Sequence, residues 1–169
     1  MDRDGIFDQL ARHGEVFRAL LTNLAQDEIR WKPSPEKWCA LEIVRHLYDE
    51  EREDFRARVM HILDTPDLPM PKIDPAGWVA ERKYMDQDFH EVLNRFLAER
   101  ERSVMWLRSL VDAPWGNVYM HPKVGAMGTD LLLANWVAHD LHHIRQLTNL
   151  RYGYLNAHTT VPLDYAGTW

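Results

Sequence analysis

The stretch VAHDLHHIRQL, residues 137–147, carries three of the chain's nine histidines within five positions. Neutral imidazole is the commonest side-chain ligand for a transition metal, and histidine also changes charge near neutral pH. Crowding of this kind therefore points to metal binding or proton transfer. On a helix, residues four apart are offset by only about 40° and lie one turn above each other. His139 and His143 would then share a face and aim at one point, whereas His142 lies about 100° away from His143 and points elsewhere. The shared stripe also holds Leu132, Trp136, Gln146 and Leu150, so it is the core-facing side. Two interior imidazoles repel once charged. Held neutral, they either pack against hydrogen-bond partners or ligate an ion.

An ion needs a third protein ligand, and the strongest candidate is His46 in LEIVRHLYDEE, at the edge of an Ile43/Leu47 stripe. Ligands from facing helices are how bundle cores build metal sites. Asp49 and Glu50 follow His46 at i+3 and i+4, which makes Glu50 the best-placed acid, as a general base or a fourth ligand, with Asp49 behind it. The alternative for Glu50 is a solvated position in the acidic run DEERED. Three imidazoles leave one to three positions open on a divalent ion. They suit zinc, nickel, iron or copper, and the sequence does not choose among them. Such an ion brings bound water towards a pKa of about 7 and acidifies a thiol, so hydrolysis and thiol activation are the two chemistries on offer. HDLHH departs from the H-E-x-x-H protease signature by Asp140, whose shorter carboxylate would reach a metal-bound water poorly.

Four stretches with helical periodicity must position these residues: about Asp4 to Ala25, Ala40 to Leu63, Tyr84 to Val111 and Thr129 to Tyr152. Proline-bearing WKPSPEKW separates the first two. CALE, entering the second, has capping-box spacing with Cys39 in the place of Ser or Thr, a weak cap. Four prolines between Pro66 and Pro75 predict irregular chain, and Gly153 is read as the stop of the last helix. HTTVPL is locally β-prone, but nothing reads as a strong strand. AERERSV alternates sign like a solvated helix face. The aromatic end GYLNAHTTVPLDYAGTW predicts a segment packed on the rest. The expectation is all-α, a single domain over residues 1–169: a four-helix bundle whose connections, long for hairpins, imply crossovers.

Composition narrows the partners. Hydrophobic residues make up 46% and charged residues 27%, with a formal charge of −6. An acidic chain without a basic run argues against nucleic acid. A single cysteine forbids an internal disulfide, no apolar run suits a membrane, and MDRDGIFDQL is no signal sequence, so a cytoplasmic protein is expected. Seven tryptophans supply aromatic walls, and Trp136, Trp106 and Tyr48 are the pocket candidates. His13 reads as core or boundary, and His61, His90 and His158 as surface or helix-end residues. His121 precedes Pro122 in a loop, where it could line a pocket mouth.

KWCALEIVRHLYDEE early and NWVAHDLHHIRQL late together resemble the DinB/YfiT-like superfamily of metal-dependent proteins. The resemblance spans nearly the whole chain: four long helices, a tryptophan before the second, a histidine inside it, and His-x-x-x-His on the last. It implies a four-helix bundle with long crossovers and a nickel or zinc ion on His46, His139 and His143, with Gln146 matching a frequent glutamine. Some relatives resemble transferases of low-molecular-weight thiols, and pairing into homodimers is common among them. The resemblance implies a thiol-dependent transferase or a hydrolase. The alternatives are a non-catalytic metal-binding or stress-response protein and a metal-free dimeric bundle.

Overall fold

The computed structural model describes residues 2–169. Helix α1 (Arg3–Leu21) starts where Asp2 accepts the Gly5 amide, and it buries Leu10, Phe17 and Leu21. It ends short of the expected Ala25, because Asn23 takes a left-handed φ of 63° before the brief helix α2 (Gln26–Arg30). Helix α3 runs unbroken through Ala40–Asp49, a π-helical turn at Glu50–Phe55, and Arg56–Asp64. The Glu42 carboxylate accepts the Cys39 amide at its start, so the half of the cap that does not depend on sulfur is made.

The proline-rich segment, expected to be irregular, contains helix α4 (Pro75–Glu81), with proline in the first turn and Asp74 accepting the Gly77 amide. Helix α5 (Phe89–Ser109) starts later than Tyr84 because Asp88 accepts the Glu91 amide and sets the boundary. The loop after it folds into an antiparallel hairpin, β1 (Val118–His121) on β2 (Gly125–Gly128), which the sequence reading missed. HTTVPL forms no strand.

Helix α6 (Thr129–His158) passes through Gly153 instead of stopping there. A Cβ on Gly153 would lie 3.1 Å from the Trp31 ring, so this glycine serves a close approach. The C-terminal segment returns to α6 through Trp169, which stacks on Tyr152 at 4.4 Å and donates to Asn149. No helix among the described residues is long and apolar enough to cross a membrane.

Helix α1 packs on α5 and α6, and α3 packs on the same two. The order around the bundle is therefore α1, α5, α3, α6, with consecutive helices α1 and α3 on one diagonal and α5 and α6 on the other. Crossing a diagonal takes more chain than turning a hairpin, which accounts for the long connections from α1 to α3 and from α5 to α6. Two apolar clusters form, one around Phe17, Leu47 and Phe96, the other around Leu10, Val59 and Trp136. Between them lies a polar layer at mid-height, and both candidate groups described next sit in it.

Candidate metal centre

His46 comes from α3, one turn before the π turn; His139 and His143 come from successive turns of α6. Nε2 of His139 lies 3.2 Å from Nε2 of His46 and 3.1 Å from Nε2 of His143. All three ligand atoms fall within 4.8 Å of one another. At Zn–N bonds of about 2.0–2.1 Å, two nitrogens on one ion stand about 2.9 Å apart at right angles and about 3.4 Å apart in a tetrahedron. The observed spacing lies in that interval. The residues fit a divalent ion.

Hydrogen bonds within the cluster do not satisfy all three nitrogens. Nδ1 of His143 lies 2.8 Å from Oε1 of Gln146 and, with this amide orientation assigned, donates to it, leaving Nε2 a bare lone pair. Nε2 of His139 carries either one proton or one lone pair, so it cannot make a well-directed hydrogen bond to both neighbours at once. Protonation is no remedy. Burial, then the charge His143 would carry, pushes His46 down to about 3. The same two causes, with His46 added, push His139 to about 3, and burial lowers His143 as well.

Aromatic rings close the flanks: Trp38 is 5.0 Å from His46, and Phe55 is 5.1 Å from His139 and stacked on Trp136. Phe55 belongs to the π turn, a form of helix that often accompanies functional sites. Around this turn Asp49, Glu50 and Glu51, three consecutive acids, are all buried. DEERED is therefore no solvated face. Asp49 accepts from Tyr84 at 2.8 Å and pairs with Arg82 and Arg45. Glu50 stands behind His46: its Oε1 is 4.0 Å from Nδ1, the nitrogen turned away from the other histidines, and neither atom has a hydrogen-bond partner. Burial, and then a hydrogen bond with Asp54, raise its carboxyl well above the usual range.

The second group was not found from sequence. Arg100, which alternating charge in AERERSV placed on a solvated face, is buried, as are Glu99 and Ser103. It lies four residues after Phe96 and four before Val104, and that apolar stripe was the signal available. Nε and Nη2 donate to Glu51 at 2.8–3.1 Å, Nη1 and Nη2 donate to Asp140 at 2.6 and 2.8 Å, and Nη1 also reaches the Leu10 carbonyl at 3.1 Å. Asp140 further contacts His13, and Glu51 accepts from Trp136 Nε1 at 3.0 Å. A Cβ on Gly14 would lie 3.2 Å from the Arg100 stem, so a small residue on α1 makes room for it. Burial would raise the Asp140 carboxyl, but the Arg100 guanidinium outweighs it and holds Asp140 low. Asp140 is thus committed away from the three histidines.

Of the other candidates, Tyr48 lies beneath the guanidinium groups of Arg45 and Arg52, and Trp106 packs on the apolar cluster around Leu10. His121 accepts the Lys123 and Val124 amides within its own turn, and His61 bonds the Leu68 carbonyl. His13 is the boundary residue expected, with Asp140 as partner. His142 is exposed and touches Arg145.

A model of the DinB superfamily matches residues 9–147, a span that contains all three clustered histidines. Among solved structures, YfiT from Bacillus subtilis, described as a probable metal-dependent hydrolase with an unusual four-helix bundle topology, aligns with a TM-score of 0.78. The alignment covers 90% of this chain and 89% of that one at 18% identity, a likeness of fold. No curated protein sequence matches the chain. The family match spans most of the chain, and this protein belongs to the DinB superfamily.

Proposed function

We propose that this protein is a metal-dependent enzyme whose centre is a divalent ion, zinc or nickel, on Nε2 of His46, His139 and His143. One observation carries the reading: three neutral imidazoles, His46 and His143 buried and His139 partly so, converge with Nε2 of His139 3.1–3.2 Å from the other two, and a cation satisfies together what their hydrogen bonds cannot. When bound, such an ion supplies Lewis acidity and lowers the pKa of a ligated water or thiol. The chain's own contribution is orientation and exclusion of water. Gln146 fixes the His143 tautomer, while Trp38 and Phe55 keep bulk water from the flanks.

Hydrolysis comes first, supported by the description of YfiT, which shares the fold. A second reading, transfer to a low-molecular-weight thiol, is favoured by one feature. Among the described residues no carboxylate joins the three histidines, and Glu50 lies on the far side of His46. A free thiol, with a pKa of about 8.5, starts far closer to neutrality than water does, so it depends less on a neighbouring base.

Protein purified without nickel resin should carry a stoichiometric ion, located at the three histidines by anomalous scattering. His139→Ala should carry none. A metal-free wild type that stays empty when zinc or nickel is supplied overturns the proposal. Incubation with esters and amides, and separately with thiols and electrophiles, then separates the readings: released acid marks hydrolysis, and a thioether conjugate marks transfer.

A further inference from the structure

A cleft of about 630 Å³ lies between the segment that follows α2 and the outer flank of α6. Two of its lining residues also touch the histidine cluster. Trp38 packs on His46 at 5.0 Å, and Gln146 bonds Nδ1 of His143 at 2.8 Å. A molecule in this cleft would therefore share walls with the centre. His142, Arg145 and Gln146 line one side and recur at i, i+3 and i+4 along α6. Lys37 and Trp38 stand on the other side, and Leu150 adds apolar surface.

The charge of this cleft runs against that of the chain. The sequence has 26 acidic and 20 basic residues, yet no residue lining the cleft is acidic. Most arginines of the protein are tied to carboxylates, from Arg3 on Asp130 to Arg151 on Glu28. Lys37 and Arg145 are not: among the described residues neither has a carboxylate within 4.0 Å, and the Arg145 guanidinium meets only Nδ1 of His142 at 3.2 Å. Nearby Lys32 shows the contrast, pairing with Glu42 at 2.8 Å. Two cations outside any ion pair, next to an aromatic face, form a receptor for an anion with an apolar body, although Glu36, bonded to Ser34 of the lining at 2.9 Å, stands beside Lys37.

We propose that this cleft is the substrate's anion subsite, taking a small organic oxyanion whose carboxylate or phosphate is held by Arg145 and Lys37 and whose apolar part lies on Trp38 and Leu150. Arginine offers a two-pronged fork to either group, and lysine adds a point charge. The reading rests on the metal centre proposed above, since the substrate's reacting end would lie at the histidines. It also gives the third histidine of HDLHH a place: His142 lies beside the anion and not in the metal cluster.

The test uses cobalt(II)-loaded protein and three thiol probes that ligate the ion at one end: mercaptopropionate, its neutral amide and mercaptoethyl phosphate. Thiolate-to-cobalt absorption reads their binding. At least one anionic probe should saturate at about tenfold lower concentration than the amide, the advantage of one good charge-assisted contact. Which anionic probe shows that advantage decides between carboxylate and phosphate. In the double variant Lys37→Gln/Arg145→Gln all three should bind alike, with cobalt uptake unchanged. Equal binding of the three to wild type, or an advantage that survives in the double variant, overturns the proposal. Should cobalt fail to enter the histidines, the metal reading falls, and the cleft is judged separately. NMR titration of metal-free protein with succinate and inorganic phosphate should then move the Arg145 side-chain resonance and the Trp38 indole resonance, the latter not in the double variant, and no movement in wild type overturns the subsite.

Discussion

The mid-height layer of this bundle contains two buried polar groups built in opposite ways. Around Arg100 every donor has an acceptor: five N–H groups meet Glu51, Asp140 and the Leu10 carbonyl, and the carboxylates take further contacts from Trp136 and His13. Around His139 the three nitrogens face one another, and Nδ1 of His46 and Oε1 of Glu50 have no partner. Both groups bring α3 and α6 together, and only the first also ties in α1 and α5. A saturated network spends its hydrogen-bonding capacity on the fold. An unsaturated one of neutral donor atoms holds its capacity in reserve for a ligand. The difference separates a group that ties four helices together from one whose nitrogens suit the ion proposed above.

The comparison breaks most sharply at Arg100. Arg100→Met should destabilise the protein by about 3–5 kcal/mol, because Glu51 and Asp140 would remain buried without their cation. Urea unfolding measures this, and a loss below about 1 kcal/mol would mean that the network is dispensable. His139→Ala tests the other group. Unfolding of the metal-free protein should change little, since a poorly satisfied set of nitrogen contacts is relieved as packing is lost. The stabilisation by added zinc, about 4 kcal/mol at a thousandfold excess over Kd, should vanish. If His139→Ala destabilised the metal-free protein as much as Arg100→Met, the two groups would be alike and the contrast would fail.

Smaller effects sharpen it. Gln146→Ala should weaken zinc binding by about 10–100-fold, as loss of a partner that orients a ligand does, with metal-free unfolding nearly unchanged. Competition with a chromophoric chelator reads that affinity, and an unchanged value would remove Gln146 from the centre. Trp136→Phe takes one donor from Glu51, which Arg100 still holds, and should cost about 1 kcal/mol in unfolding with no change in zinc affinity. A change in zinc affinity instead would show that the two groups are coupled through Glu51.

The three histidines were legible because helix periodicity alone places His139 and His143 on one inward stripe and His46 at the edge of another. The α3–α6 packing then had only to bring two stripes together. Arg100 was not legible as a buried cation, since alternating charge in AERERSV has the same pattern as a solvated face. Its position between Phe96 and Val104 was the only hint. Glu51 was hidden in the same manner inside DEERED. The hairpin β1–β2 escaped because its strands are short and glycine-bearing, so their pairing depends on the turn and on neighbours across it. Gly153 misled because a glycine at a helix end and a glycine beneath a tryptophan look alike in sequence.

What the chain fixes by itself is whatever depends on neighbours three or four residues away: four long amphipathic helices, the inward pair on the last of them, and the breaks between them. Which acids of a charged run face inward, which side of His46 Glu50 occupies, and whether Lys37 and Arg145 find counter-charges are decided between elements far apart in sequence. Local periodicity follows from the geometry of one helix, whereas the satisfaction of a buried charge depends on which helix faces it. Only the folded bundle settles that.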